Sequence, residues 1–311
     1  MNSLLKAAKE YLTLRRQLGF KLRNNQNVLI KFCSFLKTKK ASHITGDLAL
    51  EFATRNPNTS QMQWAVRLGI IRRFAQYLSV IDAQTEIPPF NILSYSYHRR
   101  KPYIYSKTEI VKLLQSSMLI PYRHKLKPHT YFTLFGLLAV TGMRVAEATG
   151  LKNACVDLKK GRIEIQEGKY RKSRYLQLHA STVGILRDYA KHRDRYFPSL
   201  KSNFFFVNER GSKLFDSTVR NVFIWVSKKI GLRKRMDSSG PRLIDLRHTF
   251  AVTTLTRWYQ KGLNADLHIP LLSTYLGHAQ PTQTYWYLTQ TQDLLKLVTS
   301  RLEKYRKEDL V

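Results

Sequence analysis

Acidic residues are scarce in this sequence. Asp and Glu number 21 against 53 Lys and Arg, which gives a formal net charge of +32, and the basic residues run from Lys6 to Lys307 instead of forming one tail. Hydrophobic residues make up 43% of the chain, as in an ordinary folded protein, which excludes a disordered basic tail. Ribosomal and membrane-surface proteins also run basic, but a large folded chain with this charge is typical of proteins that bind a nucleic acid backbone.

Cysteine and long apolar runs are scarce too. Cys33 and Cys155 form no CxxC pattern and no metal-type pairing with histidine, which indicates a reducing compartment. The longest apolar stretch, residues 131–143, is too short and too polar to cross a bilayer, and the first residues contain no apolar core of a signal peptide. We therefore expect a soluble, cytoplasmic protein without a membrane partner.

Two domains are predicted on either side of a linker. Residues 1–90 contain four segments with apolar residues at helical spacing, which predicts a compact basic helical domain. Residues 91–103 show a basic run and no periodicity, which indicates a linker. Residues 104–311 are predicted to form a second, mostly helical domain, and Ser106 is positioned to cap its first helix.

One β-hairpin interrupts the helices of the second domain. Ile163 and Ile165 alternate with polar residues, a turn follows, and Tyr175, Leu176 and Leu178 form a returning strand. The predicted fold is therefore mainly α with a small β-hairpin or sheet (α+β), and the tip of the hairpin is basic.

Five short motifs follow one another in the second domain. They are TGMRVAE (141–147), GKYRKSR (168–174), LIDLRHTFA (243–251), LGH (276–278), and Tyr287, nine residues beyond the histidine of LGH. Each motif alone is weak, but in this order and at these separations the sequence resembles the tyrosine recombinases, the phage integrase family, of the mobile-element type. The resemblance covers the second domain closely, and the basic helical residues 1–90 look like the core-binding domain of that family.

The resemblance implies that Arg144 and Arg247 bind the phosphate that is cut. A phosphodiester gains negative charge as a nucleophile attacks, and two arginines can neutralise that charge without a metal. Glu147 lies three residues after Arg144, on the same helix face, and is expected to hold its guanidinium in place. The alternative interpretation of Arg144 and Glu147 is an ordinary solvated ion pair.

The remaining chemistry is implied for a lysine, a histidine and a tyrosine. Lys169, at the hairpin tip, resembles the general acid that protonates the departing 5′ oxygen; the alternatives are a plain phosphate contact, or Lys172 as the acid. His278 is implied to donate to the phosphate. Tyr287 is implied to attack and form a 3′-phosphotyrosine, whereas Tyr285 is expected to be packing.

One position departs from the family pattern. Ile244 stands where the family usually has a histidine, and an isoleucine cannot donate a hydrogen bond to phosphate. The loss of one such donor typically slows an enzyme about 10²- to 10³-fold. Arg242 and His248 are candidates to compensate, but we expect neither to point where residue 244 does, and we expect His248 to support the fold.

Basic residues outside the catalytic set are predicted to contact DNA. They are Arg15, Arg16, Lys21, Arg23, Arg67, Arg72, Arg73, Arg99, Arg100, Lys101, Arg171, Lys172, Arg174 and Arg242. The predicted partner is double-stranded DNA with inverted core-type sites.

We expect a site-specific DNA recombinase that works without metal or cofactor through a Holliday junction, for integration, excision or transposition of a mobile element. On DNA it would be a homotetramer, located at the bacterial nucleoid, with the amphipathic tail after Tyr287 docked on a neighbouring protomer; packing of the tail on its own domain is the alternative. One rival is a weakly active or accessory recombinase-like protein that works with co-encoded recombinases. A metal-dependent nuclease is disfavoured, because no carboxylate set stands in a recognisable context.

Overall fold

The computed structural model describes residues 3–20, 22–93, 100–123, 125–166, 173–234, 240–278, 280–289 and 292–308. The chain divides into two compact units, Met1–Arg100 and Lys101–Val311. This boundary lies within the stretch predicted as a linker. Part of that stretch, residues 94–99, lies outside the described residues, so the limits of the linker stay a prediction.

The first unit is a bundle of four helices. They are α1 (Ser3–Gln17), α2 (Arg23–Thr38), α3 (Gly46–Thr54) and α4 (Gln61–Leu78). Helical spacing puts Leu29, Phe32 and Leu36 on one face of α2, and all three are fully buried. Phe32 contacts Phe52 of α3 edge to face, with ring centroids 5.1 Å apart. The N terminus of α3 is capped by the hydroxyl of Thr45, which accepts from the backbone N–H of Leu48 at 3.3 Å.

The second unit is mainly helical, as predicted. Its helices are α5 (Lys107–Ser117), α6 (Leu126–Thr141), α7 (Val145–Thr149), α8 (Ala180–Tyr196), α9 (Asp216–Lys229), α10 (Asp245–Gln260), α11 (Ala265–Leu276), α12 (Thr282–Tyr285) and α13 (Gln292–Glu308). Short 3₁₀ helices cover Asn153–Cys155 and Trp286–Thr289. Ser106 caps α5 as expected, and it forms a reciprocal capping box with Glu109. Helix α6 is apolar on most sides because it lies in the core, where Leu134, Phe135 and Leu138 are buried.

A three-stranded antiparallel sheet interrupts the helices. Its strands are β1 (Val156–Asp157), β2 (Arg162–Ile165) and β3 (Arg174–Gln177), in the order β1-β2-β3. Ile163 pairs with Leu176, and both side chains are fully buried. The hairpin of β2 and β3 is the predicted one, whereas β1 was not predicted, because two residues carry no alternation. The hairpin tip, residues 167–172, lies outside the described residues.

The C-terminal helices form a separate apolar cluster beside the main core. Its buried members include Leu255 of α10, Leu276 of α11, Leu294 of α13 and Tyr287. This cluster fixes the segment that contains Tyr287 against α10, the helix that begins with the LIDLRHTFA motif. None of the described helices is both long and apolar enough to span a membrane.

Candidate active site

Arg144 is positioned by a tight turn between two helices. Helix α6 ends at Gly142, which has a left-handed backbone (φ 61°), and Arg144 is the N-cap residue of α7. Glu147 accepts from the backbone N–H of Arg144 at 2.9 Å and from its Nη1 at 2.8 Å. The pair is thus part of the helix cap, and it is not the solvated ion pair that the sequence left open: the carboxylate of Glu147 is only 8% exposed.

A second arginine binds the same carboxylate. Arg174 of β3 donates from Nη2 and Nη1 to the two oxygens of Glu147, at 2.8 and 3.2 Å, and from Nε to the carbonyl of Tyr275 at 2.7 Å. Burial opposes the charged form of Glu147, but the hydrogen bonds from Arg174 and Arg144 outweigh it and lower the pKa of this carboxyl. The Glu147 carboxylate therefore fixes two guanidinium groups at once.

Arg174 was predicted to contact DNA, and its position in the structure corrects that prediction. Its side chain is only 9% exposed and faces the protein interior. The alternation of β3 explains this, because Arg174 lies two residues before the buried Leu176 and so shares its face. The sequence could have predicted this alternation, but Arg174 was assigned to DNA because of its positive charge.

Arg247 reaches the same place from α10. Its guanidinium donates from Nη1 to the carbonyl of Gly142 at 2.9 Å and from Nη2 to the carbonyl of Leu276 at 2.7 Å. Arg144 Nη2 donates to the next carbonyl, that of Gly277, at 2.8 Å. Burial, together with the nearby charge of Arg144, lowers the pKa of Arg247 to about 10, so the group is still charged at neutral pH. Two cations thus converge on one turn, Leu276–Gly277.

His278 follows this turn directly. Its Nδ1 lies 2.7 Å from the hydroxyl of Thr284 at the start of the next helical segment. Its ring stacks on the ring of Tyr287, with centroids 6.2 Å apart. His278, the histidine of the LGH motif, therefore lies between the turn that Arg144 and Arg247 contact and the predicted nucleophile, Tyr287.

The structure distinguishes the two tyrosines of the TYWYL segment. Tyr287 is 1% exposed, whereas Tyr285 is 40% exposed. The expectation that Tyr285 is packing was therefore wrong. Residues two apart on a helical segment point to different sides, so only one of the two tyrosines can face the core, and it is Tyr287 that does.

His248 contacts the predicted nucleophile. Its Nδ1 lies 3.0 Å from the hydroxyl oxygen of Tyr287. Ile244 already has helical dihedrals (φ −64°, ψ −22°), and its carbonyl accepts from the backbone N–H of His248 at 3.3 Å. The two residues are therefore one helical turn apart on the same side of α10, contrary to the expectation that they point in different directions.

Arg242 lies at the start of the same helix. It donates to Asp245 from its backbone N–H at 2.7 Å and from Nη2 at 2.7 Å. Its side chain is 33% exposed and Asp245 is 1% exposed. Arg242 thus neutralises a buried carboxylate at the N terminus of α10 and keeps part of its surface available to a ligand.

The other predicted DNA contacts fall into three groups. Arg16, Arg73, Arg100 and Lys101 are exposed. The partly buried ones each have an internal contact: Arg15 lies over the ring of Phe20, Arg67 donates to the carbonyl of Ala53, and Arg72 donates to the carbonyl of Pro88. Lys21, Arg99, Arg171 and Lys172 lie outside the described residues, as does the side chain of Arg23. Lys169, the predicted general acid, lies outside them too.

Two arginines, a histidine and a tyrosine thus lie around the turn Leu276–Gly277. Comparison with known proteins shows the family: the model of the phage integrase family matches residues 106–293, and the chain belongs to this family. A provisionally named integrase/recombinase of Sinorhizobium fredii, y4rB, is 42% identical over 308 residues, which cover 98% of each chain. A second one from the same organism, y4rE, is 35% identical and covers 94% of this chain and 93% of its own.

Solved structures of low sequence identity share the fold. The XerH site-specific recombinase in a post-cleavage complex with its palindromic difH substrate covers 96% of this chain and 84% of its own, with a TM-score of 0.65 and 21% identity. The integrase of transposon Tn1549 in complex with transposon right end DNA covers 96% and 98%, with a TM-score of 0.64 and 14% identity. A lambda integrase tetramer on a Holliday junction covers 90% and 78%, with a TM-score of 0.55 and 17% identity.

Proposed function

We propose that this protein is a site-specific DNA recombinase that cuts and rejoins DNA through a 3′-phosphotyrosine on Tyr287. The observation that carries the proposal is the convergence of Arg144 and Arg247 on the turn Leu276–Gly277, next to His278 and the ring of Tyr287. Backbone carbonyls are neutral acceptors, whereas a phosphodiester carries a full negative charge that its two non-bridging oxygens share. A phosphate that enters this site would therefore be a much stronger partner for both guanidinium groups.

In the proposed reaction the oxygen of Tyr287 attacks the phosphorus, the O–P bond forms and the bond to the 5′ oxygen breaks. The two arginines and His278 stabilise the charge that builds up on the non-bridging oxygens. Lys169 protonates the departing 5′ oxygen, with Lys172 as the alternate acid. Because the phosphodiester energy is kept in the phosphotyrosine, the 5′ hydroxyl of another strand can reverse the step without a high-energy cofactor.

We further propose that four protomers act together on inverted core-type sites and pass through a Holliday junction. The likeness of the fold to a lambda integrase tetramer on such a junction supports this. Helix α13 begins on its own domain, where Leu294 is fully buried beside Tyr287, while Leu295 is 42% exposed. Only the outward side of the tail would therefore be available to a neighbouring protomer.

The biological event is proposed to be integration, excision or transposition of a mobile element. Two S. fredii relatives named as integrases or recombinases support this, as does the likeness to a transposon integrase. Ile244 supports the second candidate, an accessory recombinase-like protein that depends on partner recombinases for part of the cutting.

The test is covalent trapping on DNA. The protein is incubated with labelled duplex DNA from the flanks of its own gene, nicked near the candidate site, and label that survives denaturation in SDS is counted. The proposal predicts a trapped species that is lost in Tyr287→Phe and kept in Tyr285→Phe, and that forms equally well in EDTA. Tight binding without any trapped species, even in Ile244→His, would favour the accessory protein.

A further inference from the structure

We propose that His248 is the general base for Tyr287, a role that rests on the proposed function of the tyrosine as nucleophile. The Nδ1 atom of His248 lies 3.0 Å from the hydroxyl oxygen of Tyr287, within the range in which a proton is transferred directly. Tyr287 is 1% exposed, so bulk water has little access as a proton acceptor. The phenol of a free tyrosine ionises only near pH 10, and its attack on phosphorus is helped by a neighbouring group that takes the proton.

The surroundings of His248 orient its ring for this role. The carboxylate of Asp245, one turn earlier on α10, lies 4.0 Å from Nε2. A negative group on that side favours the tautomer with hydrogen on Nε2, which leaves the lone pair of Nδ1 facing the tyrosine hydroxyl. Asp245 is itself held by Arg242, and the ring of Trp286 packs edge-on against the imidazole, with centroids 5.6 Å apart.

The charged and titratable groups around the pair come from several elements. Asp245 and Arg247 flank His248 on α10, and Arg247 is close enough to Tyr287 for an electrostatic effect. His278, after α11, stacks on the other side of the tyrosine ring, but its Nδ1 is engaged with Thr284. Of these groups, His248 has a nitrogen 3.0 Å from the tyrosine oxygen, which is within hydrogen-bond distance.

The position of His248 also bears on Ile244. The isoleucine cannot handle a proton, and His248 lies one turn further along the same side of α10. We infer that His248, and not residue 244, accepts the proton of the Tyr287 hydroxyl. In the forward step the tyrosine oxygen bonds to phosphorus while its proton passes to Nδ1 of His248. In the reverse step His248 returns that proton to the tyrosine oxygen as the O–P bond breaks.

The experiment measures the rate of covalent complex formation on a nicked substrate, together with the affinity for the same DNA. His248→Asn keeps a neutral polar atom near the tyrosine but cannot accept a proton, and His248→Gln is a second variant in case the first does not fold. We expect cleavage to slow by about 10²- to 10⁴-fold while DNA affinity stays within about 2-fold. The matched control, His268→Asn on α11, removes an imidazole that does not contact Tyr287 and should leave the rate unchanged.

A more acidic nucleophile at position 287 distinguishes a general base at His248 from a contact that only stabilises the fold. If 3,5-difluorotyrosine is incorporated at position 287, its phenol ionises more readily and needs less help from a base. We expect this to restore most of the rate in His248→Asn or His248→Gln and to change the wild-type rate little. Slow variants that are not rescued, or variants as fast as wild type, would overturn the role of His248. No covalent complex with wild type would instead count against the proposed function itself.

Discussion

At the scale of single residues, the site depends on one carboxylate. Glu147 binds two arginines, each by at least one hydrogen bond of 2.8 Å, in a place where all three side chains are at most about a quarter exposed. Removing one partner of such a network leaves a buried charge without a counter-charge, which strongly lowers the free energy of unfolding. This loss is far larger than any stability that the intact network adds relative to well-packed apolar residues. Glu147 is therefore the residue whose loss should disturb both stability and catalysis.

Glu147→Gln should lower the free energy of unfolding by about 3 to 5 kcal/mol, as for other broken buried ion pairs, and slow cleavage about 10- to 100-fold. Thermal or urea unfolding and covalent trapping measure the two effects. The control is Glu51→Gln, which removes an exposed ion pair with Lys39 and should cost no more than about 1 kcal/mol. Equal effects of the two substitutions would contradict the role of Glu147.

The carboxylate of Glu147 also makes the free energy of unfolding depend on pH in the acid range. Its pKa lies below the ordinary 4.5 in the folded chain, so its contribution is complete above about pH 4.5 and is lost as the pH falls through the lowered value. Unfolding free energies measured from pH 7 down to pH 3 should fall in the wild type and fall less steeply in Glu147→Gln. Parallel pH profiles for the two proteins would contradict this assignment.

Ile244→His tests the position that departs from the family pattern. If a donor to the phosphate is missing there, restoring it should raise the cleavage rate, by no more than the 10²- to 10³-fold that one such donor contributes. Ile244→Leu, which adds no donor, is the control. Single-turnover trapping measures both, and an unchanged rate in Ile244→His would show that the donor is not what limits this site.

At the scale of elements, two glycine turns bring the motifs together. Gly142 (φ 61°) ends α6 ahead of Arg144, and Gly277 (φ 69°) follows α11 ahead of His278. A Cβ at Gly142 would lie 2.6 Å from the ring of Phe250, and a Cβ at Gly277 would lie 2.7 Å from Nη1 of Arg174. Both backbone conformation and close approach therefore require glycine in TGMR and LGH.

Gly277→Ala should displace Arg174 and the turn that Arg144 and Arg247 contact, and so reduce cleavage at least 10-fold. Gly262→Ala is a matched control, because Gly262 also has a left-handed backbone (φ 68°) but a Cβ there meets nothing within 4 Å. Left-handed strain alone costs about 1 to 2 kcal/mol. Unfolding measurements should show that cost in both variants, and an intact cleavage rate in Gly277→Ala would contradict the argument.

The sequence predicted elements well where a periodic signal was long. The helices of both units and the β2–β3 hairpin follow from apolar spacing, and the Ser106 cap follows from its residue type. The sequence did not correctly predict which way side chains point within short segments. Arg174 and Tyr285 were assigned by charge and by elimination, but the two-residue period of β3 and the short helical segment after Pro281 decide where they point. The contact between His248 and Tyr287 joins residues 39 apart in sequence, which no local pattern reveals.

At the scale of the whole molecule, helix α13 has one side buried in its own unit and another side exposed. Leu294 is buried and Leu295 is exposed, so adjacent residues of α13 serve different surfaces. Leu294→Ala should destabilise the second unit by about 2 to 5 kcal/mol, as large-to-small core substitutions do. Leu295→Glu should leave unfolding unchanged but reduce tetramer formation on DNA, measured by gel filtration or native electrophoresis. Unchanged assembly in Leu295→Glu would count against docking of the tail on a neighbour.

Mapping the site of covalent attachment tests most directly whether Tyr287 becomes joined to DNA. The trapped complex is digested with nuclease and protease, and the peptide that carries the nucleotide is sequenced by mass spectrometry. We expect a single modified residue, Tyr287, linked to a 3′ phosphate. Attachment to Tyr285 or to any other residue, or a 5′ linkage, would contradict it.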